Sequence, residues 1–361
     1  MEIETISYQQ VIDGYIPQND KYSLLAYALA EPRRTAFLTN PSLVDKTQPM
    51  IITAKENGAV VGRTMNLPSR FMADKQVFET IGGSAIEVAE EYRNGDAGIL
   101  LMAYNMQNKR YTTTISSGFS RVAAKCHKAM GSKIFVFPQL IQIRNFTKIL
   151  PVIGVPRIIA KLFGWIPTAF YYPFRFLIYK KSERIRNRYT VKKVNEVPEW
   201  VDDIVFNDGH RFMELHDSKW LQWNLDHMFH SNERNLTSFY TVSQDGKGIG
   251  FFMIKERFGS IESRGVKDAK FGHIVEWGTK DPKLLSEYSL QLMALSSFSK
   301  DVDLVYMAST DYDVVKKMKK FLLLRIRDAE VAFKDFSKKF KDANNQDLWR
   351  LRLGYGDTIM G

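Results

Sequence analysis

Residues Val88–Gly98 (VAEEYRNGDAG) stand where a strand gives way to a helix, and their types suit the binding of a phosphorylated anion. Gly95, Ala97 and Gly98 are small, so the backbone can approach a ligand closely. The apolar run Ile99–Tyr104 that follows reads as a helix. The first amides of a helix lack partners within it, and the helix dipole adds positive character, so such a start can cradle a diphosphate. Arg93 and Asn94 add a cation and an amide, and Asp96 is placed to cap the same helix with its carboxylate. Just before, Glu87 is the penultimate residue of the strand run Ala85-Ile86-Glu87-Val88. Strict alternation would turn it away from Ile86 and Val88, towards a cleft where it could act as a base, or towards solvent as an ordinary surface carboxylate.

Other reactive side chains carry less. His127, in a helical stretch, has a reference pKa near 6.5, so it could move a proton or simply be a satisfied helical histidine. Cys126 has no base assigned to it, and a single cysteine reads as a small hydrophobe. Among the histidines, His227-x-x-His230 with His216 comes nearest to ligand spacing, and no metal site is expected from it.

The elements that must position these residues are legible from periodicity and turn chemistry. A strand over 1–8 and a helix over 20–38, broken at Pro32, precede a hairpin over 49–65 turning at Asn57-Gly58. A strand over 76–88, the helix from 97, a strand at 111–116, a helix over 120–130 stopped by Gly131, and a strand at Ile134–Phe137 complete a first lobe. A second hairpin over 236–255, turning at Asp245-Gly246, opens the same order again. It continues with a strand at 271–277, a helix over 284–299, a strand at 304–307, a helix over 311–321 and strands over 322–333 and 347–353. The expected division is 1–145, a connector over 146–200, and 201–361.

The chain of 361 residues is 45% hydrophobic and 13% aromatic, enough for two sizeable cores and against extensive disorder. Its single cysteine allows no intrachain disulfide, and Met1–Thr5 lacks the basic start and apolar run of a signal peptide. A cytoplasmic location is expected, with the option of the inner membrane face. The net charge of +11 is unevenly spread: residues 121–195 hold sixteen Lys or Arg against one carboxylate, Glu183. That block is +15 and the rest of the chain −4. It calls for an anionic partner or forms a solvated basic surface. Residues 149–193 combine it with apolar residues and four prolines and contain no run long enough to cross a bilayer, so they read as a surface-membrane segment or a packed connector.

The stretch 88–98 resembles the diphosphate loop of the GNAT superfamily of acyl-CoA acyltransferases, written Arg-x-x-Gly-x-Gly at the start of a helix. Arg93 and Gly98 match; Asp96 stands at the first loop glycine and Gly95 falls one position early. Ser120–Gly131 resembles a later Asn-x-x-Ala-x-x-Leu-Tyr-x-x-x-Gly pattern, with Ala123 and Gly131 matching and His127 at the position of the Tyr. Trp220–His227 is similar to a tryptophan signature of bacterial tandem members, some linked to surface polysaccharide.

The resemblance implies an α/β (α+β) fold of two GNAT-like lobes, each a mixed, mostly antiparallel sheet flanked by helices. It implies acetyl-CoA or another acyl-CoA as co-substrate, held by Val88, Arg93, Asn94, Gly95, Asp96, Ala97, Gly98 and Ser120. The reaction would be N-acylation of an amine on a polar, sugar or lipid-linked acceptor, with Glu87 as base and His127 as the acid that protonates the leaving thiolate. The second lobe would complete a cleft without binding CoA in the usual way. Two other readings use the same architecture: an aminoacyl-tRNA-dependent transferase, and a non-catalytic protein that binds anions or membranes.

Overall fold

Two tight turns set the architecture. Asn57-Gly58 and Asp245-Gly246 both place their paired residues at positive φ (50° and 77°, 50° and 76°), the geometry of a two-residue turn whose twist matches its flanking strands. The computed structural model describes residues 1–107, 110–227, 235–261 and 266–354. The first turn joins β2 (Pro49–Glu56) to β3 (Ala59–Ala73), preceded by β1 (Glu2–Ser7), α1 (Tyr8–Ile12), α2 (Leu24–Leu29) and α3 (Arg33–Leu38). Then come β4 (Gln76–Val88), α4 (Ala97–Met106), β5 (Thr113–Ser117), α5 (Arg121–Ala129) and β6 (Lys133–Ile143). Helices α6 (Phe146–Ile149), α7 (Arg157–Phe163) and α8 (Trp165–Arg186) fill the connector.

The remainder begins with β7 (Thr190–Val194), α9 (Val201–Phe206), β8 (Phe212–Glu214) and α10 (Ser218–Asp226). The second turn joins β9 (Leu236–Gln244) to β10 (Lys247–Ile261), followed by β11 (Val266–Thr279), α11 (Glu287–Ser297), β12 (Leu304–Ala308), α12 (Tyr312–Lys319) and β13 (Leu324–Asp335). Thus β2-β3-β4-α4-β5-α5-β6 and β9-β10-β11-α11-β12-α12-β13 repeat one order.

The thirteen described strands form one sheet, with main path β1-β2-β3-β4-β5-β13-β6-β12-β11-β10-β9-β7 and β8 paired to β3. Each run contains one parallel pair, β4–β5 and β11–β12, and the helix between its two strands is the crossover that a parallel pair requires. Most other pairings are antiparallel hairpins and ladders. The last strands are exchanged. β13 lies between β5 and β6, while β6 pairs with β12. The strand read as closing the first lobe therefore joins the ladder of the second.

Packing ties the halves further. One cluster contains Tyr8, Leu25, Phe37 and Met65 from the first run and Val201, Trp220, Trp223 and Val275 from the second. Trp223 donates from Nε1 to the Ala36 carbonyl of α3 at 2.9 Å, so the tryptophan pattern seats α10 on the N-terminal helices. The C-terminal stretch expected as a strand is instead a short 3₁₀ turn at Gln346–Leu348 with isolated pairings Phe212–Trp349 and Ser309–Arg352. The reason is the Trp349 ring, fully buried against Phe71, Phe135, Phe212 and Phe333, which takes the chain inward instead of along a ladder.

Candidate active site

Arg63, in the middle of β3, organises the end of β4. It is 1% exposed. Its Nε donates to the Leu24 carbonyl (2.7 Å), a second nitrogen donates to the Ala85 carbonyl, and a third reaches the Glu87 carboxylate at 2.7 Å. Burial lowers its pKa and Glu87 works against that shift, as expected for a desolvated cation held by one carboxylate and two carbonyls. Ala85 sits at φ 49°, and the β3–β4 register slips between Arg63 and Met65. This is a β-bulge, and it breaks the expected alternation at Ile86, which is exposed beside Glu87, while Val88 still turns to the opposite side. The bulge lies where β4 leaves β5. Their ladder spans Thr80–Thr113 and Ile81–Thr114, and beyond it the Gly83 amide donates to Ser116 Oγ at 3.3 Å.

After the bulge, Val88 tucks into a small apolar cluster with Ile52, Ala54, Val61, Ala97 and Leu101, which seats the first turn of α4 on the sheet. Arg93 folds back and donates from Nε to the Val88 carbonyl at 3.2 Å. The loop is wound by Tyr92 and Gly95 amides donating to the carbonyls of Ala89 and Tyr92. Asp96 does not cap α4: its φ and ψ of −86° and −6° continue the helical winding, and its side chain accepts no amide. The amides of Asp96, Ala97, Gly98 and Ile99 consequently have no acceptor among the described residues. Arg93, Asn94, Gly95 and Asp96 are exposed beside them. A Cβ on Gly98 would meet only Val88 Cγ2, at 3.6 Å, so the space over these amides is open.

Because β4 and β5 are parallel, the starts of α4 and α5 lie at the same edge of the sheet. Ser120 begins α5 by accepting from the Ala123 amide at 3.2 Å. His127 lies one face further along α5, 7% exposed, with its ring 5.1 Å from that of Phe119 and Nδ1 buried without a partner among the described residues. Burial, aided by Lys334, pushes its pKa down to about 4. The ring is therefore uncharged at neutral pH, and its surroundings do not favour the proton-donating role that the resemblance implies. A cleft of about 490 Å³ opens beside Ser117–Arg121 and continues along β6 and β13 to Arg352. Asp328, Glu330, Arg121 and Arg352 give its walls both signs of charge. Three of these four come from β13 and the C-terminal stretch, which sequence periodicity could not bring to β5.

The corresponding place in the second half is filled from within. Ser286 caps α11 by accepting from the Ser289 amide. In the first turn, Glu287 accepts from Trp277 Nε1 (2.8 Å) and Arg352 (3.2 Å). At the bulge of β11 the buried Glu276 carboxylate meets Arg350 (2.5 Å), Arg352 and His216 (2.6 Å). Burial alone would raise the Glu276 pKa, but Arg350, Arg352 and His216 hold it well below the usual carboxylate range. Among the described residues no three His, Cys, Asp or Glu side chains gather as a metal ion would require, and His230 lies outside them.

No known family profile matches the chain, and no curated protein matches it. Solved structures do. A GCN5-related N-acetyltransferase from Anabaena variabilis superposes with a TM-score of 0.54 at 10% identity, over 92% of this chain and 72% of that one. The N-myristoyltransferase of Saccharomyces cerevisiae, solved with bound myristoyl-CoA, gives 0.54 at 12% identity over 92% and 78%. The fold is GNAT-like. A protein of Enterococcus faecalis V583 described as a probable N-acyltransferase gives 0.51 at 10% identity over 92% and 72%. The mixed sheet flanked by helices that the resemblance implied is thus the observed fold.

Proposed function

We propose that this chain is an acyl-CoA-dependent N-acyltransferase whose donor site is the open start of α4. The observation that carries the proposal is the contrast between two equivalent helix starts: α11 is capped by Ser286 and occupied by Glu287, whereas α4 leaves four amides free behind a bulged strand. A diphosphate on those amides would set the thioester along the gap between β4 and β5. The gap closes at Gly83, whose amide reaches Ser116, and at Gly82, where a Cβ would stand 3.1 Å from the Ile115 carbonyl. That depth supports a short acyl group such as acetyl.

Attack of an acceptor amine on the thioester carbonyl forms the C–N bond and breaks the C–S bond, with one proton to be taken from the amine and one delivered to the thiolate. Glu87, exposed at the bulge and oriented by Arg63, is the group proposed to take the first. The cleft with walls of mixed charge suits a polar acceptor, in keeping with an amino sugar or another amine-bearing carrier.

Isothermal titration with acetyl-CoA and with free CoA tests this. The wild type should bind saturably. Gly98→Tyr should lose at least about tenfold in affinity, because its ring would cover the amides. Asp96→Asn should gain up to about fivefold as a carboxylate near the diphosphate is removed. Unchanged affinity in the Gly98 variant would discard this site. Absence of CoA binding together with salt-sensitive tRNA binding would favour the aminoacyl-tRNA reading.

A further inference from the structure

Helices α7 and α8 project apolar side chains outward, where α-helices of a water-soluble domain normally carry polar ones. Ile158, Leu162, Phe163, Trp165, Phe170 and Tyr172 are 57–74% exposed. Isolated exposed apolar residues are ordinary, but a continuous series on two adjoining helices marks an interaction surface. The corner between the two helices is tightly packed. Gly164, at the corner between the helices, packs so closely that a Cβ would stand 2.4 Å from the Ala160 carbonyl and 2.7 Å from Thr147 Cα. Thr168 Oγ1 donates to the Gly164 carbonyl (2.7 Å) and accepts from the Phe146 amide (3.1 Å), tying the corner to α6.

The inner face of α8 is satisfied separately. Tyr171, Ile178 and Ser182 are buried at helical spacing. Tyr171 donates to the Leu322 carbonyl (2.6 Å), Ser182 pairs with Ser296 (2.6 Å), and Arg186 donates to Ser297 (2.5 Å). The outward residues are thus not needed to hold α8 in place.

Charge selects the occupant. Along the outward face of α8, Ile166, Phe176 and Leu177 give way to Lys180 and Arg184, with Lys161 on α7 and Arg188 beyond the helix end. Residues 157–188 contain eight Lys or Arg and one carboxylate, Glu183. No helix among the described residues is long and apolar enough to cross a bilayer. Apolar and aromatic side chains that can enter the acyl boundary, beside cations that can meet phosphates, are the features of a helix lying in a membrane interface. We propose that α7 and α8 dock the protein on the surface of an anionic phospholipid bilayer. A nucleic acid would use the cations and could stack on the aromatic rings, but would leave the aliphatic Ile158, Ile159 and Leu162 exposed. The proposal is independent of the acyl-CoA reading.

Co-sedimentation of the full chain with vesicles tests it, using phosphatidylcholine alone or mixed with phosphatidylserine. The wild type should bind the mixed vesicles and bind phosphatidylcholine weakly. Leu162→Ser/Phe163→Ser/Phe170→Ser should lose at least about tenfold, since each buried side chain removes apolar area from water. Lys180→Glu/Arg184→Glu should lose about fivefold or more per cation on anionic vesicles only. All these positions are exposed, so thermal melts should match the wild type.

Three results would overturn the proposal. One is absence of binding to the anionic vesicles at low salt. Another is binding insensitive to the apolar substitutions, with tRNA retained through the same cations. The third is a stable dimer that the apolar substitutions split, which would make this face a contact between copies of the chain.

Discussion

His127 shows how strongly surroundings decide what a residue type can do. In an extended chain its imidazole would titrate near 6.5, whereas beneath Phe119 and near Lys334 it titrates at about 4. The folded state therefore binds the proton less readily than the unfolded state, and stability tied to this group is present above about pH 6.5 and lost as pH falls towards 4. The loss should be on the order of 2 kcal/mol, and His127→Gln should remove that part of the slope. Urea unfolding of both proteins at about pH 7 and about pH 4.5 measures it; parallel losses would show that His127 is not the titrating group. At Glu87 the sequence located the carboxylate on the right strand but did not reveal the bulge beside it or its pairing with Arg63. Ala85 adopts a left-handed conformation with no glycine to announce it, so the alternation rule fails at the following residues.

At the scale of elements, α4 and α11 begin alike in chain order and differently in chemistry. The Ser286 hydroxyl satisfies an amide of α11, so Ser286→Ala should cost about 1 kcal/mol. Asp96 makes no such bond, and Asp96→Ala should cost about half of that or less, through the helix dipole alone. Thermal melts of the two single variants compare the losses directly. Equal losses would mean that Asp96 caps α4 in solution and that its amides are not open to a ligand. Most elements were legible because their signals are local: both turns carry Asn-Gly or Asp-Gly, and Pro32 separates α2 from α3. Residues 347–353 misled because their apolar pattern reflects the insertion of one large ring.

At the scale of the whole molecule, the exchanged strands make each half depend on the other. A fragment ending at residue 145 would contain β5 and β6 without β13, the strand that pairs with both. It would also expose the face of Phe37, Met50 and Met65 that Trp220 and Trp223 help cover. Fragments 1–145 and 146–361 should each lack a cooperative thermal transition and regain it when co-expressed. A fragment 1–145 that melts cooperatively by itself would argue against the exchange.

The sequence by itself determined the order of elements, the two hairpin turns, the small-residue loop before α4 and the basic block, because each is written in neighbouring residues or in composition. Only the tertiary structure decided that β13 parts β5 from β6 and that Arg63 props the bulge at Ala85. It also decided that the second helix start is filled by Glu287 and Arg352, and that the apolar residues of α7 and α8 face outward. These features join residues up to hundreds of positions apart. Local periodicity fixes which side of a strand or helix is apolar, but leaves open which distant segment, or which surface, will cover it.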